Sequence, residues 1–256
     1  MILNVNTFGR NLLIAIKVSA TKLPMRLGIY AVDRMNPDVF YFKQTCELTK
    51  PYHSLDMEFP LTPRKLSFVL WDESTGILRE PEISAAIETK PLKTLSRLLT
   101  HNDRTWTEFA GKLATNLRKL KPGQKVRGAG HTVYIFDVIK NLRGEPEATP
   151  ARTDLNSDDI EVSKDVLLPC SVYSALCILD HEKAHNKFHK DVINLGDQHE
   201  FEADKEGLKI YLYSGFPCSQ AIFAFTKIFT DTPVNNERTA ASDEYIDEFK
   251  QTGRIS

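Results

Sequence analysis

The chain has 256 residues, of which 41% are hydrophobic and 26% are charged, and its formal net charge is −1. This composition indicates a globular protein of one large or two small domains, and it excludes a molecule built as a whole to coat a polyanion. No apolar run approaches the roughly 20 residues that cross a bilayer, so no membrane span is expected. Four scattered cysteines without a CxxC pair predict reduced thiols in a cytosol-like compartment.

The first part of the chain has the pattern of a β-rich module. Five short runs rich in branched and aromatic residues are separated by Pro, Asn, Asp and Gly, at 11–20, 26–34, 39–48, 54–61 and 65–73. This spacing is typical of a β-sandwich or a small barrel. No catalytic constellation lies among these runs. We therefore expect residues 1–85 to form a module for attachment or for assembly with other proteins.

Helical patterns dominate after residue 85, which makes the whole chain α+β. A short helix is expected between Pro91 and Leu99, and a second one is expected to begin at Asn102 or Asp103. Strands are predicted at 131–139 and 160–168, with a polar loop at 143–159 between them. Four further helices are expected, beginning near Ser171, Glu200, Ser219 and Ala240.

A basic stretch follows the first long helical pattern. Six basic residues and no acid lie between Lys112 and Arg127. A solvated helix face and loop is the favoured interpretation. A polyanion-binding adaptor is the alternative, but no aromatic residues are interleaved as in a groove for single-stranded nucleic acid. Nucleic acid is therefore not expected as a partner.

Four of the seven histidines lie between Ile178 and Gly207. The stretch from His181 to His185 fits the pattern HExxH. On a helix, residues four apart share one face, so the two imidazoles can converge on one cation. Glu182, between them, can take a proton from a water that the metal activates. The pattern predicts Zn²⁺ held by the two histidines, with Glu182 as the general base.

Helix geometry narrows the choice of a third ligand. His189 lies eight residues after the first motif histidine, a rise of about 12 Å along a continuous helix, which is too far for one zinc ion. Glu200 and Asp204 share one face of the next helix, whereas Glu202 points elsewhere. We expect Glu200 to be the third ligand, and Asp204 to orient a ligating imidazole. His199 is the alternative ligand.

HExxH followed by E-x-x-A-D resembles the gluzincin metallopeptidases, in particular the CAAX-prenyl-protease and HtpX group, over roughly residues 160–249. The resemblance implies that His181, His185 and Glu200 bind zinc, that Glu182 is the general base and that Asp204 matches the aspartate of the family. The short spacing between the second histidine and the glutamate resembles that of IrrE-type peptidases. The resemblance predicts a zincin-like metallopeptidase domain at 86–256.

The same resemblance extends to the substrate. A polypeptide is the expected substrate, and the strand before the HExxH helix would be a sheet edge to which an extended peptide adds by β-augmentation. The family carries a His-Pro element and then an arginine, where this chain has Thr232-Pro233 and then Arg238. Arg238, Tyr211 and Tyr213 are candidates for contacting the transition state.

A structural role is the rival hypothesis. A virion or assembly component, for example of a phage, could keep the metallopeptidase fold while the N-terminal module performs the function. The presence of Glu182 beside a complete ligand set favours the enzyme, because a structural metal site does not need a general base. The expected location is cytoplasmic for the enzyme and the virion for the alternative.

Overall fold

The computed structural model describes residues 1–74, 79–92, 98–154, 157–187, 198–228 and 232–256. Helices and strands both contribute substantially, so the chain is α+β as predicted. It divides into two compact units, Met1–Thr94 with Gly215–Pro217, and Leu95–Ser214 with Cys218–Ser256. Within these described ranges, no helix combines the length and the apolar character needed to cross a membrane. None of the four cysteines, all of which lie in the described ranges, forms a disulfide bond.

The described residues of the first unit form seven strands in two antiparallel sheets, and all five predicted strands are among them. One sheet has the order β1 (Ile2–Asn6), β6 (Lys65–Asp72), β3 (Met25–Asp33), β4 (Asn36–Leu48). The other has the order β5 (Tyr52–Phe59), β2 (Leu12–Ala20), β7 (Ile83–Pro91). The ring of Phe59 contacts those of Phe42 and Phe68, at centroid distances of 6.0 and 5.7 Å. The two sheets therefore share one apolar core, as in a β-sandwich.

Strand β7 extends the first unit beyond the boundary predicted at residue 85. It pairs with β2 along its whole length, from Ile83 opposite Ala20 to Pro91 opposite Leu12. Its side chains alternate only between half-buried and exposed, so the apolar alternation that identifies a strand is weak here. Pro91 ends this strand and does not begin a helix. The rest of the helix predicted up to Leu99 lies mostly outside the described residues.

The second unit has a four-stranded sheet. Its order is β10 (Ala151–Thr153), β11 (Ile160–Ser163), β9 (His131–Phe136), β8 (Lys125–Gly128), with β11 parallel to β9 and the other pairs antiparallel. The strand predicted at 160–168 ends at Ser163 and continues as a short helix, α2 (Lys164–Leu167). The prediction that this strand forms a sheet edge is wrong, because β10 and β9 flank it. In the described residues the edge strands of this sheet are β10 and β8, and β10 lies inside the predicted polar loop.

The described residues of the second unit also form five longer helices: α1 (His101–Asn116), α3 (Val172–His185), α4 (Gln198–Tyr213), α5 (Cys218–Ile228) and α6 (Pro233–Thr252). The N-cap of α1 is Thr100, whose hydroxyl accepts the N–H of Asp103 while the Asp103 carboxylate accepts the N–H of Thr100. This capping box places the N-cap two residues before Asn102 and three before Asp103, the two caps that the sequence suggested. Helix α6 begins well before Ala240, because Thr232 caps it and Pro233 occupies its first turn.

Helix α3 carries the HExxH pattern and is buried along almost its whole length. The hydroxyl of Ser171 caps it by accepting the N–H of Ser174, and both serine hydroxyls contact Gln220 of α5. The helix ends at His185, with Asn186 as its C-cap. The prediction that it continues unbroken past His185 is therefore wrong. His189 itself lies outside the described residues.

Helices α3 and α4 lie in unusually close contact. Ala203 of α4 is fully buried, and Gly207 follows it one turn later. A Cβ atom built on Gly207 would lie 2.8 Å from both the Cα and the backbone nitrogen of His181. Atoms of a real side chain do not approach a backbone that closely, so the two helices can adopt this separation only because residue 207 is glycine.

We expect Gly207→Ala to destabilise the protein. In an unconstrained helix this change stabilises by about 1 kcal/mol. Here the added methyl group must push α4 away from α3, and overpacking of this kind costs about 1–3 kcal/mol. The measurement is the urea concentration at the unfolding midpoint, which should be lower for Gly207→Ala than for wild type. Glu202→Ala, on the same helix, is the control and should leave the midpoint nearly unchanged. A midpoint that rises in Gly207→Ala would contradict the close contact.

Candidate metal centre

Three donor groups converge where α3 meets α4. The Nε2 atoms of His181 and His185 are 2.9 Å apart. The Glu200 carboxylate has one oxygen 3.5 Å from His181 Nε2 and the other 3.6 Å from His185 Nε2. Tetrahedral ligands with bonds of about 2 Å lie about 3.3 Å from one another. The three residues predicted as ligands thus form a group that fits a metal ion.

Asp204 lies behind His181, where the sequence predicted an orienting carboxylate. Its Oδ1 atom is 2.8 Å from His181 Nδ1, and the side chain is 2% exposed. Because Nδ1 is the nitrogen that lies against this carboxylate, Nε2 is the nitrogen that faces the other donors. Contacts of this kind fix both the orientation and the tautomer of a ligating imidazole.

His199 lies behind His185 and not among the converging donors. Its Nδ1 atom is 3.0 Å from His185 Nδ1, and the two rings stack with their centroids 4.6 Å apart. The nitrogen of His185 that faces Glu200 is the other one, Nε2. His199 therefore contacts the far side of a predicted ligand. This geometry does not favour the alternative in which His199 replaces Glu200.

Arg238 contacts two of the carboxylates on α4, those of Glu200 and Asp204. Its Nε and Nη2 atoms donate to the two oxygens of Asp204 at 2.7 and 3.0 Å, and Nη2 also lies 3.0 Å from Glu200 Oε2. The residue is only 7% exposed. Its guanidinium therefore holds the carboxylates of the site in place. Tyr213, another transition-state candidate, exchanges hydrogen bonds with the backbone of Ile255, and Tyr211 is fully buried in the core.

Glu182 is a buried carboxylate beside the donor group but not part of it. Its Oε2 atom accepts a hydrogen bond from the hydroxyl of Thr153 on the edge strand β10, at 2.9 Å. Burial raises the pKa of Glu182, while the charge of His181 and the Thr153 hydrogen bond lower it, and the net direction is upward. A raised pKa brings a carboxylate closer to the range in which a general base works at neutral pH.

The pKa values of the two predicted histidine ligands are shifted in opposite directions. Burial lowers the pKa of His181, but the charge and hydrogen bond of Asp204 and the hydrogen bond of Glu200 outweigh it, and the pKa rises to about 10. Burial and the positive charge of His181 lower the pKa of His185 to about 3. The pKa of Glu200 falls to about 2 because its interactions with His181, His185 and Arg238 outweigh burial. Without a metal, His181 is therefore the protonated histidine at neutral pH.

A second polar network holds the opposite side of α3. The Nε1–H of Trp106 on α1 donates to Asp180 at 2.7 Å, and the Lys183 ammonium pairs with Asp103. Both α3 residues are buried, although they flank the metal-binding positions in sequence. They attach α3 to α1 and so fix the rotation of the helix that carries the histidines. Sequence patterns cannot predict these pairs, because their members are separated by 74 and 80 positions along the chain.

Comparison of the chain with protein-family models, with curated proteins and with solved structures finds no match in any of the three.

The first site prediction concerns ligand identity. Wild type equilibrated with zinc and desalted should retain one equivalent per chain by elemental analysis. Glu200→Ala should lower the affinity by about a hundredfold or more, since even residues behind the ligands contribute tenfold to a hundredfold. Glu202→Ala, two positions along α4, is the matched control and should bind zinc like wild type. Wild type without bound metal would contradict the site.

The second site prediction concerns the proton that His181 should release when zinc binds. Because the raised pKa of His181 keeps Nε2 protonated below about pH 10, a metal ion must displace that proton. Zinc affinity measured against a competing chelator should therefore rise about tenfold per pH unit between about pH 6 and pH 8. Calorimetry in two buffers of different ionisation enthalpy should show about one proton released. Asp204→Asn removes the main stabiliser of the proton and should reduce the release, whereas a pH-independent affinity would refute the prediction.

Proposed function

We propose that the second unit is a zinc-dependent metallopeptidase with a zincin-like fold, acting on polypeptides. The donor set supports zinc, because two imidazoles and one carboxylate with a fourth position open are typical of catalytic zinc sites. His181 and His185 on α3 and Glu200 on α4 would hold the ion. A bound zinc ion supplies Lewis-acid activation of water and of the peptide carbonyl.

Glu182 is the observation that carries the proposal. It is 6% exposed, it lies outside the ligand group, and its charge interacts with those of His181, Glu200 and Arg238. Burying a carboxylate costs free energy, so a carboxylate that does not bind the metal would destabilise a purely structural metal site. In a peptidase, the same carboxylate takes the proton of the attacking water and passes it to the leaving amine.

The contact between Glu182 and Thr153 indicates where a polypeptide substrate would bind. The hydroxyl that donates to Glu182 belongs to β10, the last strand on its side of the sheet. One edge of β10 pairs with β11, and no strand pairs with the other edge in the described part of the chain. An extended peptide can add to that edge through backbone hydrogen bonds that depend little on sequence. β10 thus replaces β11 as the proposed substrate strand, because it both forms the edge and touches the general base.

The function is tested by Glu182→Gln, which keeps the size and the hydrogen-bonding capacity of the side chain but removes the base. Hydrolysis of an unfolded protein such as casein should fall by about two to four orders of magnitude. Zinc content should remain at one equivalent, because Glu182 is not a ligand. Turnover and bound zinc are therefore measured on the same preparations.

Glu202→Gln is the matched control, since it makes the same chemical change on α4 away from the donors. It should retain both zinc and turnover. Zinc retained by wild type and by Glu182→Gln, with no turnover by either on a broad substrate panel, would reject the peptidase. That outcome would favour the rival hypothesis of a structural metal site in an assembly protein.

A further inference from the structure

One end of the first unit combines exposed apolar side chains with exposed positive charge. Three loop segments form it, at 7–10, 33–36 and 62–65, and together they are named the loop platform. Phe8 is 68% exposed and Met35 is 71% exposed. Single exposed apolar residues are common in proteins, so exposure alone assigns them no role. Three properties of the loop platform distinguish them: its rigidity, the conformation of Phe8 and its charge.

Backbone hydrogen bonds join the three loops into one surface. The N–H of Phe8 and that of the residue before it both donate to the carbonyl of Arg64, at 3.0 and 3.1 Å. The N–H of Arg34 donates to the carbonyl of Lys65 at 2.9 Å. The loops at 7–10 and 33–36 are therefore both attached to the loop at 62–65. Phe8 and Met35 project from this bonded surface and not from free loops.

The backbone of Phe8 is in the left-handed region, with φ 56°, and Gly9 follows with φ 73°. A bulky residue adopts this conformation at a cost, and such residues persist where their surroundings enforce the conformation. The bonds to Arg64 supply that constraint here. The result is an aromatic ring held out to solvent, with the guanidinium of Arg10 lying 5.5 Å from its centroid.

The loops that carry Phe8 and Met35 also carry an excess of positively charged residues. The three loops contain four basic residues and one acid, which gives 4 − 1 = +3 in a chain whose net charge is −1. The acid, Asp33, accepts the N–H of Met35 at 2.9 Å and so is used within its own loop. In the described ranges, no ion pair involves the basic residues, all of which are exposed: Arg10, Arg34, Arg64 and Lys65.

We propose that the loop platform docks the first unit on an anionic membrane surface. Phe8 and Met35 enter the interfacial region of the bilayer, and the four cations contact lipid phosphates. Apolar side chains combined with lysine and arginine are what interfacial binding requires, and each cation near an anionic leaflet adds attraction. A nucleic acid would account for the cations and for Phe8, but it would leave Met35 without a role, because bases stack on aromatic rings.

The proposal is tested with the full chain and vesicles in a flotation assay. Wild type should bind vesicles of phosphatidylcholine with about 30% phosphatidylserine and should not bind vesicles of phosphatidylcholine alone. Phe8→Asn combined with Met35→Ser should lower the affinity about tenfold. Asparagine tolerates the left-handed conformation, so the fold is preserved. Arg34→Gln combined with Arg64→Gln should lower the affinity about tenfold or more.

Tyr52→Ser combined with Lys50→Gln is the matched control. These exposed residues lie at the opposite end of β5 from the loop platform, so binding should be unchanged. Circular dichroism and melting temperature establish that each variant is folded. The proposal fails if folded wild type does not bind the anionic vesicles, or if only the arginine pair matters, which would indicate adsorption by charge alone. Tighter binding to an oligonucleotide or to an acidic protein, with the same dependence on the arginines, would also overturn it.

Discussion

The geometry of the candidate metal centre depends on how closely α3 and α4 approach each other. His181 and His185 lie on α3, while Glu200 and Asp204 lie on α4, so the separation of the two backbones sets the distances from these carboxylates to the two histidines. At Gly207 no side-chain atom lies between the helices. Imidazole and carboxylate groups on fixed rotamers cannot compensate for a shift of about an ångström between the helices. The contact between Gly207 and the backbone of His181 therefore determines both how α3 packs against α4 and how far apart the candidate ligands lie.

The candidate site also requires positive charge to offset its neighbouring carboxylates. Glu200 and Asp204 lie side by side on α4, and two neighbouring carboxylates repel each other unless positive charge offsets them. Arg238 contacts both, and the proton on His181 supplies the second positive charge. An ion that replaces this proton raises the charge of the site by one. The buried carboxylate of Glu182 is near enough to offset that added charge, because its charge interacts with those of His181 and Glu200.

Helical periodicity was sufficient to predict the residues that converge, because a spacing of four places His181 with His185, and Glu200 with Asp204, on common faces. It could not predict contacts that depend on how elements meet. Thr153 reaches Glu182 from a three-residue strand inside a polar segment, and such a strand is too short for a periodic signal. The end of α3 at His185 lacked a Gly or Pro marker, and β7 escaped prediction because an edge strand exposes much of its surface.

Thr232 shows how a residue can depart from a family pattern and still constrain the site. Its hydroxyl accepts the N–H of Asn235 and begins the helix on which Arg238 lies, less than two turns further on. An N-cap of this kind is worth about 1 kcal/mol, and histidine is not among the residues favoured there. Restoring the histidine that the gluzincin resemblance predicts would therefore weaken the start of the arginine's own helix. A histidine at position 232 could reach a substrate in the proposed peptidase, but it would not cap the helix that holds Arg238. A threonine caps that helix but lacks the imidazole.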